Sequence, residues 1–179
     1  MRKIAVDLCN TLFDVNGVLE KMGFSKKPEE YFFENLCPEF FEQNPAVFLK
    51  AAPFAFAKEC MLFLSRQYEI TYLSARPENA YGVTMQALTD GGFPNGNIVF
   101  TKNKPLYFKE HNMYFAIDDA PSEIWGYTKN GIPVLIPMQS YNKLFNGPRF
   151  SWENLYLFLK NGGEIQIKRE PHIFLGTFS

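Results

Sequence analysis

The sequence predicts a doubly wound α/β fold with a parallel sheet. Short apolar runs, each followed by polar or turn-forming residues, recur along the chain: Lys3–Val6, Ile70–Leu73, Ile98–Phe100, Tyr114–Ile117 and Val134–Ile136. Such runs are typical of buried strands. Helix-like segments lie between them, and strands that alternate with helices form right-handed crossovers in a parallel sheet. Sheets of this kind place their sites at the carboxyl ends of the strands.

Three segments between the predicted strands have helical character. From Pro53 to Gln67, apolar residues recur at three- and four-residue spacing, which predicts a helix with one buried face formed by Phe54, Ala57, Met61 and Leu64. Glu78–Leu88 and Ser122–Thr128 predict two shorter helices. Each predicted helix connects two predicted strands.

Two segments do not follow this alternation. Residues 16–52 are long, aromatic and interrupted by prolines, so we expect a small helical cap inserted after the first strand. Residues 161–179 form a C-terminal tail in which Glu164–Glu170 alternates apolar and polar residues, a pattern that predicts a strand. Because no internal repeat or flexible linker divides the chain, residues 1–160 are expected to form a single domain.

Composition and charge exclude several classes of partner. The chain has 179 residues, of which 46% are hydrophobic, and a formal net charge of -1, which describes one soluble domain with a sizeable core. Near-neutral charge gives no reason to expect a nucleic-acid polymer or an anionic membrane as partner. No apolar stretch approaches the ~20 residues of a spanning helix. Cys9, Cys37 and Cys60 lack CxxC spacing, which predicts reduced thiols in a cytoplasmic protein.

Polar residues with related chemistry follow four of the predicted strands. They are Asp7 and Thr11, then Ser74 and Arg76, then Lys102 and Lys104, and finally Asp118 and Asp119. Carboxylates that converge on one sheet edge repel each other unless a cation lies among them, and an oxygen-rich set favours Mg²⁺. A phosphate group would complete the coordination, with hydroxyl and ammonium donors for its remaining oxygens. The predicted partner is therefore a small phosphorylated molecule.

Asp7 is a candidate nucleophile. It ends the first predicted strand, and the chain contains no glycine-rich phosphate loop of the Walker type. A carboxylate in this position could attack phosphorus and form an aspartyl-phosphate. The pattern thus predicts phosphoryl-transfer chemistry as well as phosphate binding.

The segments AVDLCNT, ITYLSARP, TKNKP and FAIDDAP resemble the four motifs of the haloacid dehalogenase superfamily of aspartate-nucleophile phosphatases. Within it the chain is most similar to the 5'(3')-deoxyribonucleotidase-like group, because a small cap follows the first motif and the later segment SYNKLFNGPRFSWENL also resembles that group. The resemblance covers roughly residues 3–160. It implies a Rossmann-like sheet with an inserted helical cap, and a Mg²⁺-dependent phosphatase acting on a small phosphomonoester such as a nucleoside 5'-monophosphate.

The resemblance also implies a metal site. Asp7 would be both the nucleophile and a Mg²⁺ ligand, and the backbone carbonyl of Cys9 would be a second ligand. Asp119 would supply the remaining protein ligand, with Asp118 beside it.

The phosphate-binding residues are implied in the same way. Ser74 would bind the transferring phosphoryl oxygens, and Lys104 would neutralise their charge and keep Asp7 ionised. Lys102 is the alternative for the role of Lys104. Thr11 is a candidate donor to the phosphate, and Arg76 either approaches the substrate or fixes its own loop.

One position departs from the superfamily pattern. Its phosphatases carry Asp-x-Asp-x-Thr, and here Cys9 replaces the second aspartate, which serves as general acid and base. Such assistance is worth ~10²- to 10⁴-fold, and a thiol with an ordinary pKa near ~8.5 replaces it poorly at neutral pH. Asn10 replaces a frequent glycine, and asparagine tolerates the same turn conformations.

Cys9 keeps two further functions open. One is a catalytically degenerate module that binds phosphate or a nucleotide without hydrolysing it. The other is dehalogenase-like attack by Asp7 on carbon, which needs no leaving-group acid, although Asp118 and Asp119 argue for a metal and so against it. The phenylalanines of residues 16–52 could stack on a nucleobase or simply form the core of the cap.

Overall fold

A six-stranded parallel sheet forms the centre of the computed structural model, which describes residues 1–37 and 39–167. The strands are β1 (Arg2–Val6), β2 (Tyr68–Ser74), β3 (Asn97–Phe100), β4 (Phe115–Ile117), β5 (Val134–Pro137) and β6 (Arg149–Phe150). Their order across the sheet is β3-β2-β1-β4-β5-β6, with every neighbouring pair parallel.

The position of β1 determines where a site can form. Val6 pairs with Tyr72 of β2 on one side and with Ile117 of β4 on the other. The strands β1, β2 and β4 therefore end at the same edge of the sheet. The chain order reverses beside β1, which is where doubly wound sheets form their ligand crevices.

Helices cover both faces of the sheet. They are α1 (Val15–Lys21), α2 (Phe40–Gln43), α3 (Val47–Lys50), α4 (Ala57–Leu64), α5 (Tyr81–Asp90), α6 (Lys104–Glu110), α7 (Pro121–Lys129) and α8 (Trp152–Lys160), with 3₁₀ helices at Glu78–Ala80 and Ser140–Asn142. Ile4 and Val6 of β1 pack into a core cluster that includes α4 and α8, whereas Ala5 packs into a second cluster with α6 and α7. Alternate strand residues thus face opposite helical layers, and the predicted fold class is confirmed.

The predicted helix at Pro53–Gln67 is shorter in the structure. Pro53 forms an isolated antiparallel bridge with Phe13, and Phe56 has a left-handed φ of 65°, so α4 begins only at Ala57. The predicted apolar face is otherwise present, because Ala57, Met61 and Leu64 are fully buried.

Other elements were not predicted, or differ from the prediction. The two-residue strand β6 and the helix α6 had no counterpart in the apolar pattern. In the tail, residues 164–167 form no strand, and the rest of the predicted strand lies outside the described residues. The helices α1, α2 and α3 fall in or beside residues 16–52, the segment expected to form the cap.

Candidate active site

Three loops meet where β1, β2 and β4 end. Asp7 directly follows β1, and its backbone N–H donates to the carbonyl of Ile117 at 2.9 Å, which extends the pairing of β1 with β4. Ser74 ends β2, while Asp118 and Asp119 directly follow β4. The parallel sheet thus brings together residues that are more than a hundred positions apart in the sequence.

Three of these residues form a buried acidic cluster. Carboxylate oxygens of Asp7, Asp118 and Asp119 all lie within 4.8 Å of one another. The exposed fractions of the three residues are 5%, 1% and 0%. Burial together with the charge of Asp7 raises the pKa of Asp119 to about 7. A site of this kind is a candidate for holding a cation, because like charges in a buried cluster need a counter-charge.

Lys104 supplies a counter-charge from the first position of α6. Asn103 fixes the start of this helix by accepting a hydrogen bond from the N–H of Leu106. The Lys104 ammonium donates to Oδ1 of Asp7 at 2.6 Å and to Oδ2 of Asp118 at 2.8 Å. Burial alone would lower the pKa of Lys104, but the two carboxylates raise it well above its ordinary value. Lys104 is therefore a permanent cation within the cluster.

Asp119 is held by two hydroxyl groups. Thr11 Oγ1 donates to Oδ1 of Asp119 at 2.6 Å, and the Tyr141 hydroxyl donates to Oδ2 at 2.5 Å. Thr11 is fully buried and does not line the cavity described below. Its hydroxyl faces Asp119, whereas the sequence suggested a contact with phosphate.

Cys9 lies beside the cluster and contacts Arg76. The Arg76 Nε donates to the Cys9 Sγ at 3.2 Å, and its Nη1 donates to Thr84 Oγ1 at 2.9 Å. The guanidinium carbon also lies 4.2 Å from the ring centre of Phe48. Burial raises the pKa of the Cys9 thiol, and the charge of Arg76 offsets this only in part. Cys9 is consequently a neutral thiol at physiological pH.

The loop after β1 is shaped by Asn10. This residue has a φ of 59°, in the left-handed region that asparagine tolerates better than most residues. Its side-chain oxygen accepts a hydrogen bond from the N–H of Asn16, and its carbonyl accepts one from Gln139. Asp14 accepts from the N–H of Gly17 and caps α1, so it is not directed at the cluster.

A cavity of about 340 Å³ reaches the acidic cluster at Asp7, with Lys104 also in its wall. Its polar side is formed by Asp7, Cys9, Asn10, Ser74, Arg76 and Lys104. Aromatic and aliphatic residues of the segment 16–52 form much of the remaining wall, among them Tyr31, Phe32, Phe33, Leu36, Phe41 and Phe48. The cavity therefore joins a charged base to an apolar wall.

Not all predicted residues lie here. Lys102 is exposed and lines a neighbouring surface depression with Glu42 and Glu78, on the other side of Arg76 and Pro77 in the lining of the cavity. Lys104 is the lysine that contacts the carboxylates. Glu123 and Tyr141 are among the polar residues near the cluster that the sequence did not single out as functional. Glu123 lines the cavity, and Tyr141 contacts Asp119. Tyr141 follows a strand end, as the predicted site residues do, and this signal could have identified it.

Comparisons with known proteins agree with this architecture. No family model matches the chain. The chain is 26% identical over 161 residues to a Bacillus cereus protein described as a "Putative nucleotidase". The matched region spans 86% of this chain and 82% of that protein.

Two solved structures share the fold. A haloacid dehalogenase-like family hydrolase from Streptococcus pneumoniae has a TM-score of 0.58 and 13% identity, over 88% of this chain and 98% of that chain. CbbY from Rhodobacter sphaeroides in complex with phosphate has a TM-score of 0.51 and 11% identity, over 83% of this chain and 93% of that chain. The fold of this protein is therefore haloacid dehalogenase-like. Within the described residues, no helix has both the length and the apolar character needed to cross a membrane.

Proposed function

We propose that this protein is a Mg²⁺-dependent phosphatase that acts on a small phosphomonoester through an aspartyl-phosphate on Asp7. The observation that carries the proposal is the buried cluster in which Lys104 contacts both Asp7 and Asp118 at the base of a cavity. The haloacid dehalogenase-like fold, shared with a phosphate complex, supports it. The three free cysteines are compatible with a cytoplasmic protein.

The donor set fits a hard divalent cation. Three carboxylates and one ammonium group give the cluster a formal charge of −2, and the carboxylate oxygens lie within 4.8 Å of one another. Oxygen donors of this kind favour Mg²⁺. In the proposal Asp7, Asp119 and the Cys9 carbonyl hold the ion, with Asp118 beside them. When bound, the ion would offset negative charge on the phosphoryl oxygens.

Asp7 has one oxygen available for attack. Its Oδ1 accepts the hydrogen bond from Lys104, whereas no described residue donates to Oδ2. In the proposed reaction Oδ2 forms a bond to phosphorus while the bond to the leaving oxygen breaks. The leaving oxygen takes a proton from solvent water and departs as an alcohol. A second water then attacks phosphorus and loses a proton to solvent, which breaks the bond to Asp7, restores its carboxylate and releases inorganic phosphate. Ser74, which lines the cavity, would donate to a phosphoryl oxygen.

The cavity wall supports a nucleoside 5'-monophosphate as the substrate. In this proposal residues 16–52 act as a cap whose aromatic side chains, including Phe41 and Phe48, contact the base. Stacking of a base on an aromatic side chain is worth ~1–3 kcal/mol in single-strand complexes. The similarity to the Bacillus cereus protein points in the same direction. Thr11 orients Asp119, and Arg76 fixes the Cys9 loop while bordering the cavity.

Cys9 supports a second candidate function, namely a module that binds phosphate or a nucleotide without turnover. The neutral thiol lies at the position where the resembling phosphatases place a carboxylic acid. In this proposal the binding of phosphate or a nucleotide depends on the acidic cluster and Lys104, and all of these residues are present. Proton transfer to the leaving oxygen is the step that the substitution weakens.

The test is phosphate release from a panel of phosphomonoesters and nucleoside monophosphates with Mg²⁺. We expect release by the native protein, a rise of ~10²- to 10⁴-fold in kcat for Cys9→Asp, and complete loss for Asp7→Asn. Asp14→Asn is the matched control, because it removes a nearby carboxylate that caps α1 and asparagine is an equally good cap.

Three results discriminate between the candidates. Release by the native protein that disappears only in Asp7→Asn supports the phosphatase. Mg²⁺-dependent nucleotide binding with turnover only in Cys9→Asp supports the binding module. Unchanged release in Asp7→Asn, with the protein folded, would rule out Asp7 as the nucleophile.

A further inference from the structure

The loop after β5 is built against the backbone of Asp119. It forms the 3₁₀ helix Ser140–Asn142, in which Asn142 is fully buried. The Asn142 side-chain amide donates to the carbonyl of Asp119 at 3.1 Å and to that of Pro137 at 2.9 Å. These bonds fix the short helix relative to the acidic cluster.

Tyr141, the central residue of this helix, reaches the Asp119 side chain. Its hydroxyl donates to Oδ2, while Thr11 donates to Oδ1. Both oxygens of the carboxylate therefore have a hydroxyl donor. Rotation of the carboxylate about its terminal bond would break both hydrogen bonds, so its plane is fixed.

The ring of Tyr141 contacts two residues of the segment 16–52. Its centroid lies 5.2 Å from that of Tyr31 in an edge-to-face arrangement, and the Lys26 ammonium lies 5.1 Å from the ring centre. Beside it, the Ser140 hydroxyl donates to the carbonyl of Pro28. Tyr141 therefore connects the cap to Asp119 directly.

We propose that Tyr141 is a positioning residue, whose hydroxyl orients the Asp119 carboxylate for a divalent cation and whose ring makes that orientation depend on Tyr31 of the cap. The inference rests on the proposed function, in which Asp119 is a metal ligand. Hydrogen bonds to the ligands of a metal orient them, and their removal typically costs ~10- to 100-fold in affinity. Tyr141 would act through Asp119, without touching the reacting atoms.

Mn²⁺ and Mg²⁺ binding provide the test without any substrate. Binding is measured by electron paramagnetic resonance of Mn²⁺ and by calorimetry with Mg²⁺, on the native protein and on Tyr141→Phe. The variant keeps the ring and loses only the hydroxyl, and we expect its Kd for both ions to rise ~10-fold or more. Tyr72→Phe is the matched control, because it also deletes a tyrosine hydroxyl that donates a hydrogen bond, in this case to the carbonyl of Pro94, and Tyr72 is not part of the cluster. Its Kd should stay within about twofold of the native value.

The contribution of the cap is tested by a double-mutant cycle. Tyr31→Leu should raise the Kd for Mn²⁺ about threefold or more, and should raise it much less when Tyr141 is already Phe. A direct electrostatic effect of Tyr31 on the cation would instead be the same in both backgrounds. Circular dichroism shows whether each variant folds; if Tyr141→Phe does not, an unchanged Kd in Tyr31→Leu still overturns the dependence on the cap.

The outcomes separate this inference from the proposed function. If the native protein binds neither ion, the metal site and the role of Tyr141 both fail. If the native protein binds, Asp119→Asn does not, and Tyr141→Phe binds with unchanged affinity, only the role of Tyr141 is overturned. Additive effects of Tyr31→Leu and Tyr141→Phe would overturn the dependence on the cap.

Discussion

Replacing Lys104 with methionine should lower the stability of the protein strongly in the absence of a divalent cation. Lys104 is only 3% exposed and contacts two buried carboxylates at 2.6 and 2.8 Å. Methionine fills most of the same space without the charge, so the buried carboxylates lose the ammonium group that contacts them. Removing one partner of a buried ion pair leaves an uncompensated charge and costs ~3–5 kcal/mol. We expect a loss of this size in the free energy of unfolding.

The assay is urea unfolding in EDTA and again with excess Mg²⁺. A ligand at 100 times its Kd adds ~2.7 kcal/mol of stability, so Mg²⁺ should recover part of the loss if it binds the cluster. Lys109→Met is the matched control on the same helix, because among the described residues the Lys109 ammonium hydrogen-bonds to Asn130 alone, at the surface, and the substitution should change stability by less than ~0.5 kcal/mol. Adding Asp118→Asn to Lys104→Met should recover stability, because it removes one of the uncompensated charges.

The reasoning is refuted if Lys104→Met loses less than ~1 kcal/mol in EDTA while Lys109→Met behaves as expected. It is also refuted if Asp118→Asn destabilises the Lys104→Met protein further. Either result would mean that the lysine does not compensate the buried carboxylates.

Three other predictions concern the thiols, a buried hydrogen bond and the first loop. Cys37 is exposed and should react quickly with a thiol reagent. Cys60 is fully buried, and burial raises its pKa to about 12, so it should react only on unfolding. A Cys37→Ser protein that keeps the fast phase of the reaction would contradict this. Trp152→Phe should cost ~1–3 kcal/mol in urea unfolding, because the indole N–H donates to the buried carbonyl of Thr11 at 3.0 Å, and an unchanged midpoint would count against that bond. Asn10→Gly should be more stable than Asn10→Ala by ~1 kcal/mol, because both variants lose the side-chain hydrogen bond and only alanine is strained at a φ of 59°. Equal melting temperatures of the two variants would argue against that strain.

The convergence of the site was predictable from the sequence because it follows from one rule. In a parallel sheet all strands end at the same edge, so residues that follow β1, β2 and β4 must be neighbours. The presence of Asp7 and Asp118 in one cluster needed no further information. The left-handed turn at Asn10 was accessible in the same way, because few other residues adopt that conformation easily.

Features that depend on long-range contacts were not predictable. The start of α4 is set by the bridge between Pro53 and Phe13, and no local pattern encodes that pairing. Strand β6 is only two residues long, and it is defined by the pairing of Arg149 and Phe150 with Ile136 and Pro137 of β5. The direction of a hydroxyl is also invisible in a sequence: the position of Thr11 makes it a candidate donor to phosphate, and the structure shows its hydroxyl donating to Asp119.

Cys9 separates two properties of the site, the balance of buried charge and the supply of a general acid, which a carboxylate at the same position would combine. The balance of charge depends on Asp7, Lys104, Asp118 and Asp119, and the contacts among them do not involve Cys9. The Cys9 side chain instead accepts a hydrogen bond from Arg76, whose Nη2 is buried without a hydrogen-bond partner among the described residues. A carboxylate would give this buried cation a counter-charge, so Cys9→Asp should strengthen the contact with Arg76 as well as restore an acid. If Cys9→Asp gains turnover and Arg76→Met in that background loses much of it, the arginine and the acid work as a pair, and the native protein lacks only the acid.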